Sequence, residues 1–585
     1  MVKMNETTLK NVTSRKREFE ILRSELENER STFEDVWQTA ADLNVPMKVR
    51  FQVDDNNKGT RKNQNIIDST APFGVRTIKA GMMSGITSPA RPWLKITTPD
   101  PDQLELGEVK KWLETVTERM TSVFLKSNLY QILPSVYGDA AVFATGGMLI
   151  QEDLEDVIRC YHIPIGSYTI GQDDRGIVNT FTRKYRRTVR QLIEEFGRDF
   201  PGGPIQWDRL SDTVATSYQG GHLETWIEIR HVITTNTNEK PGSLRNEHKK
   251  FVSAYYEAAT GTGTKFRDTE DDTFLRISGF DFFPFLALRW DKTGEDVWGT
   301  DCPAFDVLND NASLQHMHHM KAQAVTQKVK RSMQGPPHLR NAGPSIVAGD
   351  ITYYSINDAK QGFRKVYEVN MDITELREDI IETQSRINEA FYKDLFRAIT
   401  DLQTSGRTKH EIEARQEEKL LMLGTVLERV NDDLLDKLVD ITYIMMERQG
   451  LIPEPPEILD GVSLKVEYIS IMAQAQKAGA LSSLERFTNY AVNLIAQTDD
   501  PAARRRFDFD GAIKTYGEAI GESTKVVRTD EEVAFLAEQD QAAAQQAAQQ
   551  EQLANTASAA NDLAGADLST DNALSQLLAS QGVTV

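Results

Sequence analysis

The sequence predicts an α+β chain that is predominantly helical, with long helices and a small strand-bearing insert between two of them. Three observations carry this expectation. Two helical patterns, over residues 303–331 and 373–400, bracket a short Pro/Gly-broken insert. A still longer run over 410–448 keeps apolar residues at three- and four-residue steps. The first 300 residues mix helical periodicity with β-type alternation.

In chain order, Lys10 to Asn44 reads as a long charged amphipathic helix, with Phe19, Leu22, Leu26, Phe33 and Trp37 on one face. A second helix is marked by Val109, Trp112, Leu113, Val116 and Met120. The apolar stretch from Leu129 to Ile150 contains Pro134, Asp139 and the Gly146-Gly147 pair, so it reads as a buried helix followed by a strand rather than a membrane span. Strand alternation appears at Ile177–Tyr185 and Leu223–Thr235, and Gly202-Gly203-Pro204 and Pro241-Gly242 read as turns.

The helix starting at Pro303 has Pro where a first-turn N–H would find no partner, and it ends at Gly335-Pro336-Pro337. Its apolar spacing is loose: Phe305, Leu308, Ala312, Met320, Ala324 and Val325. The next helix starts behind Asp372 or Thr374 and places Leu376, Ile380, Ile387, Phe391, Leu395 and Ile399 on one face. At 1.5 Å per residue each is roughly 40 Å long, so an antiparallel pair carries the insert far from the rest of the chain. The insert, with Gly349–Ile356 and Phe363–Val369 as short strands around Asn357-Asp358, has little core of its own and depends on neighbours for stability. The polar stretch Asp401–Thr408 interrupts the helical pattern. From about His410 to Arg448, Leu420, Leu423, Leu427, Val430, Leu434, Leu438, Ile441 and Met445 form a stripe that requires a long packing partner. Gly450 and Pro453 end it. Further helices are expected at Ile469–Ala480 and Leu484–Ile495. An Ala/Gln-rich run follows from about Gln539, helix-prone but without a broad apolar face, and a polar tail over 555–585 is expected to be partly disordered.

This order of helix, strand-bearing insert, helix, polar loop and long helix opening Thr408-Lys409-His410-Glu411 resembles the core of the head-to-tail connector, or portal, proteins of short-tailed phages. Asp68–Ala71 leading into Lys79–Pro89, Tyr137–Gly147 and Ile163–Tyr168 carry the same resemblance, which spans about residues 15–460. It implies a portal-type subunit: a wing over 1–302, stem helices over 303–331 and 373–400, a clip over 332–372 and a tunnel loop over 401–409. A wing helix over 410–460, a crown over 461–538 and a tail over 539–585, barrel helix or disordered, complete it. It also implies a dodecameric ring at one vertex of the virion capsid, assembled in the host cytoplasm. The expected partners are terminase, tail and adaptor proteins, major capsid and scaffolding proteins, and double-stranded DNA passing non-specifically, with no membrane and no cofactor. The docking residues expected in the clip are His338, Arg340, Tyr353, Tyr354, Arg364 and Lys365. Those expected near DNA are Thr404, Ser405, Arg407 and Lys409 of the loop and Glu382, Glu389, Lys328 and Lys330 of the stem.

A net charge of −20 at pH 7 argues against a protein that grips DNA through phosphates, but suits a bore through which DNA slides. Twelve copies, as the resemblance implies, carry roughly −240. The second stem helix is acidic (Glu375, Glu378, Asp379, Glu382, Glu389 and Asp394 against Arg377, Arg386, Lys393 and Arg397), which equally describes an ordinary solvated face. Basic residues near the end of the first stem helix, Lys321, Lys328, Lys330 and Arg331, either touch phosphate or pair with acids of an adjacent subunit. Cys160 and Cys302 give neither a disulfide framework nor zinc spacing and read as buried thiols, and no apolar run follows the first charges to make a secretory signal.

Several fragments imitate catalytic motifs. Gly261-Thr262-Gly263-Thr264-Lys265 lacks phosphate-loop spacing, and His410-Glu411 has Ala414 where a second zinc-binding histidine would stand. His316, His318 and His319 could offer two imidazoles on one helix face but read better as a polar face. Asp100, Glu108 and Lys110 imitate a metal-dependent nuclease, the residues of the competing reading as a DNA-processing enzyme. A scaffold or internal head protein without a closed ring is the other competitor. The expectation is that there are no catalytic residues and no metal site.

Overall fold

The computed structural model describes residues 15–51, 64–258, 274–329, 333–334, 364–365, 374–396, 423–469, 487–488, 490, 536 and 538–551, apart from 101–102, 104–105, 201, 244, 460 and 463. The chain is mixed α+β, about half helical with several small antiparallel sheets. It divides into one unit of residues 1–96, 115–454 and 466–480 and a second of residues 97–114, 455–465 and 481–585.

The expected helix over Lys10–Asn44 is two: α1 (Arg15–Ser31) and α2 (Glu34–Asn44). The corner between them is fixed by Arg30, which is buried and donates to the carbonyls of Gly166 and Tyr168 while pairing with Glu34 at 2.9 Å. The turn lets α2 bury Trp37, whose indole donates to the Phe143 carbonyl at 3.1 Å. Next come α3 (Thr70–Gly85), β1 (Leu94–Thr97), α4 (Gly107–Lys126) and the buried α5 (Leu129–Phe143), which passes through a left-handed Ala144 into β2 (Thr145–Asp153) as the Leu129–Ile150 pattern predicts.

Strand β2 pairs antiparallel with β3 (Val157–Ile163) and with β9 (Phe285–Arg289), giving the order β3-β2-β9. A five-stranded sheet has the order β4 (Tyr168–Gln172), β5 (Val178–Thr188), β6 (Trp226–Thr235), β7 (Phe251–Glu257), β8 (Arg276–Phe280). Between β5 and β6 lie α6 (Val189–Glu195), started by a Thr188/Gln191 capping box, and α7 (Asp212–Gln219), capped by Ser211. The predicted turns at Gly202 and Gly242 both take φ of +80°, a conformation glycine adopts without a Cβ clash. Trp37, Tyr168, Phe181, Phe285 and Trp298 meet in one aromatic cluster, with the Phe181 and Phe285 rings stacked at 4.1 Å and Trp37 edge-on to Trp298 at 5.0 Å. This cluster joins α2, the five-stranded sheet and β9.

The expected helix over 303–331 is a short α8 (Pro303–Asp306) and a longer α9 (Leu308–Val329), separated at Val307. The insert is described only at β10 (Met333–Gln334) and β11 (Arg364–Lys365), an antiparallel pair of two residues each. Helix α10 (Thr374–Ala390) is broken before the expected 400: Tyr392 takes φ +52°, and the described residues 393–396 beyond it are helical again. Of the long helix over 410–448, residues 410–422 lie outside the described residues. The remainder is α11 (Gly424–Val430), a π-turn (Asn431–Leu435) and α12 (Asp436–Arg448). Then β12 (Lys465–Tyr468), not foreseen, pairs with β1, and Tyr468 stacks on Trp93. The helices expected at Ile469–Ala480 and Leu484–Ile495 and the tail 555–585 lie almost wholly outside the described residues. In the second unit, residues 538–551 are helical and exposed, in keeping with an Ala/Gln-rich run that has helix propensity but no apolar stripe.

Candidate functional site

Helices α9 and α10 form the feature to which the sequence assigns function. Arg386, near the end of α10, makes a forked bond to Asp310, near the start of α9, at 3.2 Å to each oxygen, so the helices run antiparallel. Their described spans, 22 and 17 residues, are about 33 and 25 Å long. The two-residue ladder of β10 and β11 follows them at the far end.

Their footing is polar and buried. Asn311 and Gln315, one turn apart on α9, both face inward. The Gln315 side chain accepts from the backbone N–H groups of Ile67 and Asp68 at 2.8 and 2.9 Å and donates to the Asp68 carbonyl at 3.1 Å and to Asn311 Oδ1 at 3.0 Å. Asp68 in turn accepts from the Thr70 N–H at 2.8 Å and from Gln384 of α10 at 2.9 Å, with His318 Nε2 at 3.2 Å. Burial alone would raise the Asp68 carboxyl; the Thr70 and Gln384 hydrogen bonds and His318 outweigh it and hold it below its ordinary value. One side chain therefore ties α3, α9 and α10 together.

The other half of the footing is apolar. A Cβ at Gly74 would stand 2.6 Å from Phe391 Cδ2, and one at Gly81 would collide with the Phe396 ring. Two glycines seven residues apart on α3 thus make notches on one face for the two phenylalanines that flank the left-handed Tyr392, itself tilted against Trp290 at 6.5 Å.

Beyond the footing, α10 buries Ile380, Thr383 and Ile387 and exposes Glu375, Glu378, Asp379, Glu382 and Glu389 together with Arg377 and Arg386. Arg386 is engaged by Asp310 and by Glu382 at 3.4 Å, so the outer face is more acidic than the sequence count suggests.

Of the residues expected near DNA or at docking surfaces, Glu382 and Glu389 stand exposed on α10, and Lys328 lies on α9. Arg364 and Lys365 form β11. Thr404, Ser405, Arg407, Lys409, Lys330, His338, Arg340, Tyr353 and Tyr354 lie outside the described residues, as do the Gly261–Lys265 and His410–Glu411 fragments. The histidines do not act together. His318 turns inward to Asp68 while His316 and His319 are exposed, and His319 meets Gln323 at 3.0 Å. Glu108 and Lys110 lie on the first turn of α4, with Asp100 in irregular chain after β1, not on the adjacent strands a nuclease centre requires. Among the described residues no group of three or more His, Cys, Asp or Glu side chains is placed to hold a metal ion, and no helix is long and apolar enough to cross a membrane. The sequence reading did not foresee the Asp68 hub and the glycine notches that foot these helices. Their signals were the Asn311/Gln315 spacing on an otherwise weakly apolar helix and the seven-residue glycine repeat.

The family of bacteriophage head-to-tail connecting proteins matches residues 16–527. The chain belongs to this portal family. It is 40% identical over 516 residues to the portal protein of Salmonella phage epsilon15, covering 88% of this chain and 89% of the relative. It is 35% identical over 555 residues to the "Probable portal protein" of Bordetella phage BPP-1, covering 94% and 96%. As a portal protein it connects head to tail at the portal vertex of the virion, as an oligomeric ring whose bore is the path of the DNA, and its role is structural rather than enzymatic. The nuclease reading of Asp100, Glu108 and Lys110 and the scaffold reading both fall with this finding.

Proposed function

We propose that the exposed face of α10 lines the DNA channel and acts as an electrostatic bearing: it keeps the duplex centred by repulsion and offers the phosphates no strong binding site. The observation that carries this is the run Glu375, Glu378, Asp379, Glu382 and Glu389, all exposed on one helix, where Arg386 is already engaged by Asp310 and Arg377 is the other exposed cation. Repeated around a ring, such a face gives a continuous acidic wall within a Debye length of the backbone.

On this reading α9 and α10 are the stem, residues 332–372 the clip that docks terminase and then tail or adaptor proteins through His338, Arg340, Tyr353, Tyr354, Arg364 and Lys365, and residues 1–302 with 410–460 the wing. The crown is 461–538, with the tail 539–585 beyond it. The loop 401–409 approaches DNA with Thr404, Ser405, Arg407 and Lys409, and Lys328 and Lys330 make a local phosphate contact near the clip end of the stem. The ring has twelve copies and meets capsid and scaffolding proteins around its outside. The test is to replace Glu382 and Glu389 together by lysine and to follow DNA packaging into heads with the cognate terminase. Rings of normal size that package slowly and stall are expected. Packaging at the wild-type rate would show that the acidic face does not line the path.

A further inference from the structure

One side of α3 gathers cations that the chain's own acids do not balance. From Ser69 to Pro99 the chain carries Arg76, Lys79, Arg91 and Lys95 and not one Asp or Glu, in a molecule with 87 acidic against 67 basic residues. Lys79 is the extreme case. Its aliphatic stem lies across Gly138 of α5, where a Cβ would stand 2.6 Å from Lys79 Cδ, so the side chain is half-buried in the seam between α3 and α5. The carboxylate next to Gly138 is already committed: Asp139 holds Lys48 on one oxygen and His162 on the other, each at 2.7 Å. Neither Lys79 nor Arg76, one turn before it, has an ion-pair partner among the described residues, and the Arg76 guanidinium stands only over the Phe73 ring, 5.3 Å from its centroid. Burial, and then the charges of Lys48 and Arg76, hold the Lys79 ammonium below its ordinary value against the pull of Asp139. A half-buried lysine beside two further cations, with no free acid, is costly in the lone chain and is stabilised when an anion arrives.

We infer that Lys79, Lys48 and Arg76 form a seat for a carboxylate, and that an acidic side chain of a neighbouring copy in the ring occupies it. Two observations favour a protein carboxylate over a DNA phosphate. Around α3, Lys79 stands roughly 140° from Gly74 and roughly 160° from Gly81, on the side away from the notches that receive Phe391 and Phe396 at the end of α10. This step rests on the reading of α10 as the channel wall. A ring also flanks every copy with two others through unlike patches, and each neighbour brings the same excess of acids that this seat lacks.

The test is a zero-length coupling in assembled rings. A water-soluble carbodiimide activates carboxylates, and an amine in contact with one displaces the urea and leaves an amide. Rings of the full chain are assembled from light and heavy-isotope copies, coupled, digested and read by mass spectrometry. A peptide joining Lys79 to an Asp or Glu, with one isotope on each side, is expected. It should vanish from rings of Lys79→Arg, whose guanidinium keeps the charge but does not couple. Uncoupled Lys79 in intact rings, or a link formed only within single copies, would overturn the contact. Independently, Lys79→Met should raise at least tenfold the chain concentration below which rings dissociate. The melting temperature of the unassembled chain should be unchanged or higher, because there the substitution removes an unpaired cation. Unaltered dissociation, or a lower melting temperature of the lone chain, would overturn the seat. A short DNA duplex that shields Lys79 from acetylation where ring assembly does not would assign the seat to phosphate and overturn the carboxylate. The Glu382 and Glu389 exchange bears on the channel wall alone, so the two readings fail separately.

Discussion

Arg289 of β9 and Asp433 of the π-turn form a forked ion pair, 2.8 and 3.0 Å between guanidinium and carboxylate, with the two side chains only 5% and 13% exposed. The remaining Arg289 donors reach the Gly176 carbonyl at 3.1 Å and Gln172 at 3.3 Å, so the guanidinium is well satisfied. The extra residue that the π-turn inserts at 431–435 changes the face presented by the helix there, and it is in this segment that Asp433 meets the β3-β2-β9 sheet. Removing Asp433 leaves the buried Arg289 without a carboxylate, and removing Arg289 leaves Asp433 with only Lys437, at 3.8 Å. Asp433→Ala and Arg289→Ala should each lower stability by roughly 3 kcal/mol, read by urea denaturation. Arg289→Lys should fail to restore it, because a single ammonium cannot span both oxygens.

The glycine notches predict a second class of effect. Gly74→Ala and Gly81→Ala introduce a methyl where Phe391 and Phe396 already stand, and the overpacking should cost about 1–3 kcal/mol each. Pairing Gly81→Ala with Phe396→Leu should recover part of the loss in a double-mutant cycle. Simple additivity of the two losses would mean that the ring and the notch do not interact.

These two sites also mark the limits of sequence reading. The order of long helices around a strand-bearing insert was legible, because apolar periodicity and Pro/Gly punctuation are local signals. So was the helix-to-strand passage at Ala144, where Asp139 and the glycine pair rule out a membrane span. The breaks at Thr32–Phe33, Val307 and Tyr392 were not legible. The first is enforced from outside by Arg30 reaching Gly166 and the last by Phe391 and Phe396 docking on α3, whereas no external contact among the described residues explains the one at Val307. The acidic face of α10 could be read from composition, but not that Asp310 neutralises its Arg386, since the pair is separated by 76 residues. The π-turn leaves no trace in a heptad-like stripe of leucines.

Acid should weaken the five-stranded sheet through His231. This ring is fully buried, stacked on Tyr255 at 3.8 Å; its Nδ1 accepts from Arg183 Nε at 3.2 Å, which leaves Nε2 to donate to Ser253 at 2.9 Å. Burial, and then the charge of Arg183, hold its pKa well below the ordinary value. The unfolded chain therefore binds a proton that the folded chain refuses. The stability present above pH ~6.5 is lost as pH falls below that value, by about 1.4 kcal/mol per pH unit until the folded pKa is reached. Melting curves at pH 7 and pH 5 should show a smaller difference for His231→Gln than for the wild type; equal differences would exonerate the residue.

The opposite sign applies to Asp139, the buried carboxylate that joins Lys48 and His162, each at 2.7 Å, across α5, the segment after α2 and β3. Burial would raise this carboxyl, but Lys48 and His162 outweigh it and depress it. Its contribution is complete above about pH 4, the unfolded value, and is lost only as pH falls through the lower folded value. Between pH 7 and 5 it is constant. Asp139→Asn should therefore lower the melting temperature by the same amount at both pH values, corresponding to about 3 kcal/mol; a loss that differs between pH 7 and pH 5 would contradict a carboxyl held below its ordinary value.

The thiols offer a readout of opening that needs no mutation. Burial pushes both Cys160 and Cys302 up to about 12, and each is only 1% exposed. At pH 8 the native thiolate fraction is then on the order of 1 in 10,000, against roughly a quarter for an unfolded cysteine near pKa 8.5. Native protein should resist an aromatic disulfide reagent, and denaturant should release both groups together if the β3 strand holding Cys160 and the segment holding Cys302 open as one cooperative unit. Cys302 sits where α8 begins, just before α9, whereas Cys160 lies on β3 and its backbone is bonded to Asn128. Release of Cys302 at lower denaturant than Cys160 would show that the footing of α9 and α10 opens before the sheet, and that the Asp68 hub and glycine notches are the weaker joint.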